Sequence, residues 1–163
     1  MSSEVYIGIG SNLGCRFENI DSAVSFLKKE RGIESVFQAS FYESAPVDIS
    51  SKKNFLNTVV KIKTELSPFG LLERLKHIEK ILGRKQTKSG DRVIDLDILL
   101  YKDEVVDGPV LKIPHPKFHK RLFVLVPLTE ISGDIKHPLH GEKLSCFIES
   151  LKDSKQFIKK VER

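Results

Sequence analysis

The chain has 163 residues, of which 40% are hydrophobic and 30% charged, and its 27 Lys and Arg against 22 Asp and Glu give a net charge of +5. That is the length and composition of a single globular domain able to bury a core without disulfide or metal staples, which excludes a disordered or fibrous chain. No stretch approaches the roughly 18 to 20 apolar residues of a membrane-spanning helix and no secretory-signal pattern opens the sequence, so a cytoplasmic protein with no membrane partner is expected.

In chain order, Val5, Ile7 and Ile9 alternate with Tyr6, Gly8 and Gly10, which predicts a first strand ending in a turn at Ser11-Asn12. Phe17, Ile20, Val24 and Leu27 recur at helical spacing, and Gly32, following Lys28, Lys29 and Arg31, closes that helix. Residues 33–42 alternate, with Ile33, Ser35, Phe37, Ala39 and Phe41 expected on one side. Residues 55–64 alternate too, with Leu56, Val60 and Ile62 on one face. The polar segment between them, 43–54, contains Pro46 and Ser50-Ser51-Lys52-Lys53-Asn54 and is expected to be a mobile, ligand-binding loop. Ser67 as N-cap, Pro68 at the first helical position and the stripe Leu71, Leu72, Leu75, Ile78 and Leu82 predict a second helix ended by Gly83.

A basic loop, 84–91, leads into a strand over 92–101, a hairpin turn at Asp107-Gly108-Pro109 and a short apolar segment, 110–113. Leu144, Phe147, Ile148 and Leu151 predict a late helix, and residues 157–161 a last short strand. The order β-α-β-β-α-β predicts an α+β fold, a ferredoxin-like core with helices packed on an antiparallel sheet. The hairpin and a C-terminal helix are appended to it, all within one domain, 1–163.

The sharpest chemical feature is Asp95-Leu96-Asp97. On a strand, Ile94, Leu96, Ile98 and Leu100 would fill a core face while both carboxylates project from the other. Mutual repulsion between them is relieved by a hard cation such as Mg²⁺ that also binds phosphate, or, for a bare D-x-D, by Lys and Arg on a solvated face. Residues 84–92 carry a net +3 and residues 112–121 a net +4, so against +5 for the whole chain the remainder is −2. The positive charge is thus confined to two stretches that bracket the carboxylates, which suits one compact polyphosphate better than a nucleic acid.

Other features read more plainly. Gly8-Ile9-Gly10-Ser11-Asn12-Leu13-Gly14 places its third glycine one position late for a dinucleotide fingerprint and is a tight turn, and no P-loop occurs. No aromatic RNP1-like stretch supports an RNA-binding module. Cys15 and Cys146 fit no metal or redox spacing and are expected reduced and structural. His115, between Pro114 and Pro116, is a candidate site residue, whereas His77, His137 and His140 are expected at the surface.

Asp95-Leu96-Asp97, the segment from Pro114-His115-Pro116 through Arg121-Leu122-Phe123 to Val126-Pro127-Leu128, and Gly10-Ser11-Asn12-Leu13-Gly14 together resemble the 6-hydroxymethyl-7,8-dihydropterin pyrophosphokinase family. The resemblance runs from Tyr6 to about Leu151. It implies diphosphate transfer from ATP to a pterin alcohol in folate biosynthesis, with two Mg²⁺ ions bound by Asp95 and Asp97. It further implies that Arg84 and Arg92 contact the triphosphate, that His115 and Arg121 lie on the nucleotide side, and that Glu79 and Ile98 lie near the adenosine. Phe55 and Phe123 would sandwich the pterin, with Ser44, Val47, Asn57 and Asp95 lining its edge. A monomer or weak homodimer that binds no nucleic acid is expected. The chain departs from the family pattern in lacking tryptophan and in having Gly90-Asp91-Arg92 where Gly-Pro-Arg is common.

Overall fold

β1 (Ser3–Ser11) buries Val5, Ile7 and Ile9 on one face and occupies the middle of the sheet in a computed structural model that describes residues 1–163. It is flanked by β4 (Phe55–Thr64) and β5 (Asp95–Tyr101), both antiparallel to it. Beyond β4 come β2 (Ile33–Gln38) and β3 (Phe41–Ser44), which pair with successive parts of the same β4 edge. The short β8 (Ile158–Val161) adds to the outer edge of β3. The order β5-β1-β4-β3-β8, antiparallel throughout, is the predicted ferredoxin-like core with one added edge strand. β6 (Val106–Asp107) and β7 (Lys112–Ile113) form the separate ribbon of the predicted hairpin, and the Ile113–Pro114 peptide that follows is cis.

α1 (Arg16–Lys29) and α2 (Pro68–Ile81) pack on one face of the sheet. Their stripes, Ile20, Ala23, Val24 and Leu27 with Leu71, Leu75 and Ile78, meet Val5, Ile7, Ile9, Leu56, Val60, Ile62 and Leu96 in a single core. Each large aliphatic side chain buried there stabilises the fold by about 1.5–3 kcal/mol. The Ser67 hydroxyl accepts the Gly70 N–H at 3.1 Å, as expected of an N-cap before Pro68. No helix is long and apolar enough to cross a membrane.

Two strands depart from simple alternation. The stretch 33–42 breaks at Ala39-Ser40, and the register shifts between Ile33 and Ser35, so Ile33, Val36 and Phe41 pack on the core while Phe37 is 61% exposed. Tyr6 opposes Leu100 while Ile7 opposes Ile98, which leaves Leu99 as an extra residue in β5. Beyond that bulge the faces exchange: Leu100, expected beneath the helices, packs instead with Tyr6, Val59 and Leu99 on the opposite side.

That second side is partly covered by α3 (Leu122–Ser132) and α4 (Leu144–Ser150). α4 answers the predicted late helix, whereas nothing in the sequence reading assigned a helix to 122–132. Its residues are apolar almost all round and Pro127 lies inside it, so no helical stripe stands out. Val124, Leu125 and Leu128 pack on the sheet, and the Glu130 carboxylate accepts the Ser40 N–H at 2.8 Å together with the Ser40 and Tyr42 hydroxyls. The first turn is capped from far along the chain, since the Gln156 side-chain oxygen accepts the Leu122 N–H at 2.9 Å.

His137, expected at the surface, is 2% exposed and stacks on the fully buried Phe118 ring with 4.8 Å between centroids, whereas His140 is exposed as expected. The main-chain N–H groups of Leu139 and His140 both donate to His137 Nδ1, at 3.1 and 3.3 Å. The proton therefore resides on the buried Nε2, which leaves that nitrogen no lone pair for a cation shared with the adjacent His119 and His140. Burial, then the His140 and His119 imidazoles, pushes His137 down to about 4. Burial and the Arg121 charge hold His115 down to about 4 as well.

Between the ordinary histidine value and these folded-state values the unfolded chain binds more protons. Stability is therefore lost as pH falls from about 6.5 to about 4, by at most roughly 1.4 kcal/mol per pH unit for each histidine. His137→Asn keeps an acceptor for the two amides but does not titrate. We expect it to be less stable than wild type at pH 7 by about 1–3 kcal/mol, yet to lose stability less steeply between pH 6.5 and 4.5 in urea unfolding. An unchanged slope would refute the assignment.

Candidate active site

The open part of the second sheet face is set by the register of β5, β1 and β4. Gly10 in β1 stands between Asn57 of β4 and Asp95 of β5, and Gly8 stands between Val59 and Asp97. Facing residues on neighbouring antiparallel strands project from the same side, so each row has a side chain at either end and none in the middle. The result is a trough floored by backbone. Its emptiness is needed: a Cβ at Gly10 would lie 3.1 Å from Asn57 Oδ1 and 3.6 Å from the Phe55 ring. The trough deepens into a cavity of about 360 Å³, closed on one side by α3 and on the others by the 45–54 and 84–94 segments.

Most of the expected site residues converge on this cavity. Asp95, Asp97, Arg84, Arg92, His115 and Arg121 line it together with Val47, Phe55, Asn57 and Phe123. Three expected contacts are placed elsewhere. Ile98 is 4% exposed and packs in the core beneath the helices. Ser44, 2% exposed, accepts the Asn57 side-chain N–H at 2.8 Å and so meets the site through Asn57. Glu79, 3% exposed, accepts the Leu96 N–H at 2.8 Å and Arg84 Nη1 at 2.6 Å, which makes it the support of a cavity arginine and of the β5 backbone.

Several lining residues carried no sequence signal. Lys76 projects from α2, where it reads as one more solvated lysine, yet it reaches the cavity and pairs with Glu79 at 3.3 Å. Gly8 and Leu99 belong to the trough only because of strand pairing and the β5 bulge.

The electrostatics are asymmetric. Asp95 is clamped, with Oδ1 2.7 Å from Arg84 Nη1 and Oδ2 3.2 Å from Arg92 Nη1. Asp97, two residues along the same face, has no cationic partner in contact, and burial, then the Asp95 charge and a shared hydrogen bond with that carboxyl, push it well above the usual carboxylate range. A bare oxygen ligand beside a second carboxylate, in a cleft ringed by cations, fits Mg²⁺ bound together with phosphate. His115 Nδ1 accepts the Lys117 N–H at 3.1 Å, so its Nε2 carries the proton and is a neutral donor. The guanidinium groups of Arg92 and Arg121 also lie over the rings of Phe55 and Phe123, at 5.5 and 5.7 Å from the centroids, so the cations adjoin the aromatic pair as well as the carboxylates.

A ferredoxin-like sheet carrying paired carboxylates, an arginine cluster and an aromatic slot in one cavity defines an enzyme that transfers a phosphoryl-type group to a flat cyclic acceptor. The profile of the 7,8-dihydro-6-hydroxymethylpterin-pyrophosphokinase (HPPK) family matches residues 6–133, and the chain belongs to that family. It is 44% identical over 144 residues to the 2-amino-4-hydroxy-6-hydroxymethyldihydropteridine pyrophosphokinase of Aquifex aeolicus, covering 88% of this chain and 89% of that protein. It is 41% identical over 137 residues to the enzyme of the same name from Bacillus subtilis, covering 83% and 82%. Among solved structures, the Plasmodium falciparum HPPK-DHPS A437G/K540E protein with pterin and p-hydroxybenzoate superposes with a TM-score of 0.78 at 14% identity. That match covers 100% of this chain and 48% of the other and is a likeness of fold.

Because Gly10 does not have a positive φ, alanine there tests the trough without backbone strain, its Cβ pressing on Asn57 Oδ1. Gly10→Ala is expected to stay folded, with a melting temperature within a few degrees of wild type. It should lower kcat/KM for the acceptor by roughly tenfold, about 1.4 kcal/mol of lost transition-state binding. Steady-state kinetics with wild-type-like activity would reject the trough as the acceptor site.

Proposed function

We propose that this protein transfers the diphosphate of ATP to the hydroxymethyl oxygen of 6-hydroxymethyl-7,8-dihydropterin and releases AMP, a step of folate biosynthesis. The observation that carries this reading is the pair of strand rows, which set Asp95 across a side-chain-free gap from Asn57, and Asp97 across one from Val59, in the cavity that Phe55 also lines. A flat heterocycle seated against Phe55 and Phe123 would present its substituent to the carboxylate end.

The chain's own groups account for the rest. Asn57 is held by Ser44 and by the Tyr42 carbonyl, so its amide offers a fixed hydrogen-bonding edge to the ring. Arg84, Arg92, Arg121 and Lys117 line the cavity and would take the phosphate oxygens, with Arg84 oriented by Glu79 and the neutral His115 adding a donor. For Arg84 and Arg92 this means handing Asp95 over from their guanidinium groups to the bound cation. Asp95 and Asp97 would hold Mg²⁺, two ions on the family pattern, which supplies charge neutralisation on the transferred group. As the pterin oxygen forms its bond to the β-phosphorus, the bond from that phosphorus to the α–β bridging oxygen breaks. AMP departs with the electron pair, and the hydroxyl proton is released.

Incubation with ATP, Mg²⁺ and 6-hydroxymethyl-7,8-dihydropterin should yield AMP and the pterin diphosphate. ADP as the nucleotide product, or no product, would overturn the reading. Asp97→Asn is expected to lower kcat by roughly a thousandfold, about 4 kcal/mol. Since burial and the Asp95 charge disfavour the Asp97 carboxylate, relieving that repulsion should raise the melting temperature by about 2–4 °C. Retention of near-wild-type turnover would remove Asp97 from the site.

A further inference from the structure

The two segments that close the cavity, 45–54 and 84–94, contain no helix or strand. One contributes Val47 and Ile49 to the cavity lining, and the other contributes Arg84 and Arg92. They are joined at Asp91. Its Oδ1 accepts the side-chain N–H of Asn12 at 2.7 Å and the hydroxyl of Ser51.

Asn12, 4% exposed at the end of β1, is the fixed post for both segments. Its Oδ1 accepts the Arg92 N–H at 2.8 Å, its main-chain N–H donates to the Arg92 carbonyl at 3.1 Å, and its Nδ2 also reaches the Lys53 carbonyl at 3.3 Å. Outside this knot Ser50 Oγ donates to the Ser89 carbonyl at 3.4 Å. Gly90 lies so close to Ile49 that a Cβ there would fall 2.9 Å from the isoleucine side chain.

An acid at position 91 works against triphosphate binding by the surrounding Arg84, Lys85, Lys88 and Arg92, so its place there calls for another role. The hydrogen bond from Ser51, above all, holds its carboxyl below the usual range, and it stays an acceptor throughout the physiological range. We propose that Asp91 is a positioning residue: through Ser51 and Asn12 it fastens the segment bordering the acceptor to the segment carrying the phosphate-side arginines, so that ordering either one around its substrate orders the other. This rests on the function proposed above. Sharing the ordering cost makes the two substrates bind with positive coupling, and cutting the Ser51–Asp91 link, the one made through the Asp91 carboxylate, weakens that sharing.

Titration calorimetry can read this directly, using α,β-methylene-ATP with Mg²⁺ as a nucleotide that resists transfer. In wild type the nucleotide should tighten pterin binding by about tenfold, and Ser51→Ala or Asp91→Ala should each cut that factor to below about threefold. Both variants should raise KM for both substrates more than they lower kcat. The Ser51→Ala/Asp91→Ala double variant should be no worse than Asp91→Ala, because the two remove one link. A merely structural role would lower the melting temperature and leave the coupling factor intact.

A wild type indifferent to nucleotide, coupling factors unchanged in the variants, or effects that multiply in the double variant would each overturn the proposal. If Asp91→Ala fails to fold, Ser51→Ala carries the test alone. Failure of wild type to form AMP would count against the function itself, whereas AMP formation with unaltered coupling in the variants would count only against the fastening role.

Discussion

Two carboxylates on one face of one strand are the constraint around which the rest of this structure is organised. Asp95 is compensated by two guanidinium groups whereas Asp97 has no cation in contact, so its ionised form is costly in the folded chain until a bound cation offsets it. That cost is tolerable because the strand holding them is fixed from below. Leu96 lies in the main core, and the Leu96 N–H is fastened to the buried Glu79, which also aims Arg84. One glutamate on helix α2 thus holds both the carboxylate strand and a cavity arginine, and through it core packing reaches the cavity.

The opposite half of the cavity is built by omission. Val5, Ile7 and Ile9 fill the core, and the intervening positions toward the far end of β1 are glycines, so the sheet surface between Asn57 and Asp95 remains open. A strand interior weakened by two glycines would be a poor choice on propensity alone. Here β1 is protected by neighbours on both sides along most of its length. The placement of Tyr6, a large buried side chain, at the other end of the same face shows the division of labour: packing under α3, space beside it.

The sequence carried the features that depend on local periodicity and caps. Val5 to Ile9, Ser67-Pro68 with the α2 stripe, and the strand with Asp95 and Asp97 all matched because each is decided within a few residues. What it did not carry depends on partners distant in the chain. Leu100 changes face because β5 holds one residue more than β1 can pair with. Residues 122–132 form a helix that is apolar around most of its circumference, so no stripe marks it, and Pro127 argues against it. His137 becomes buried because Phe118 offers a ring to stack on. Of the site, the convergence of Asp95, Arg84, Arg92, Phe55 and Asn57 followed from motif order and resemblance. The supporting place of Glu79 and the core place of Ile98 required the packed structure, since a side chain's distance from a cavity is not written in its spacing.

The capping of α3 by Gln156 also orders events in time. All the strands of the ferredoxin-like core and both of its helices lie within the first 101 residues, so this layer can assemble while the remainder is still being synthesised. The wall bearing Phe123 is different. Its first turn stays uncapped until residue 156 has left the ribosome, and β8 closes the sheet edge only afterwards. The wall bearing Phe123 therefore depends on residues 156–161, far along the chain from the scaffold on which it is laid.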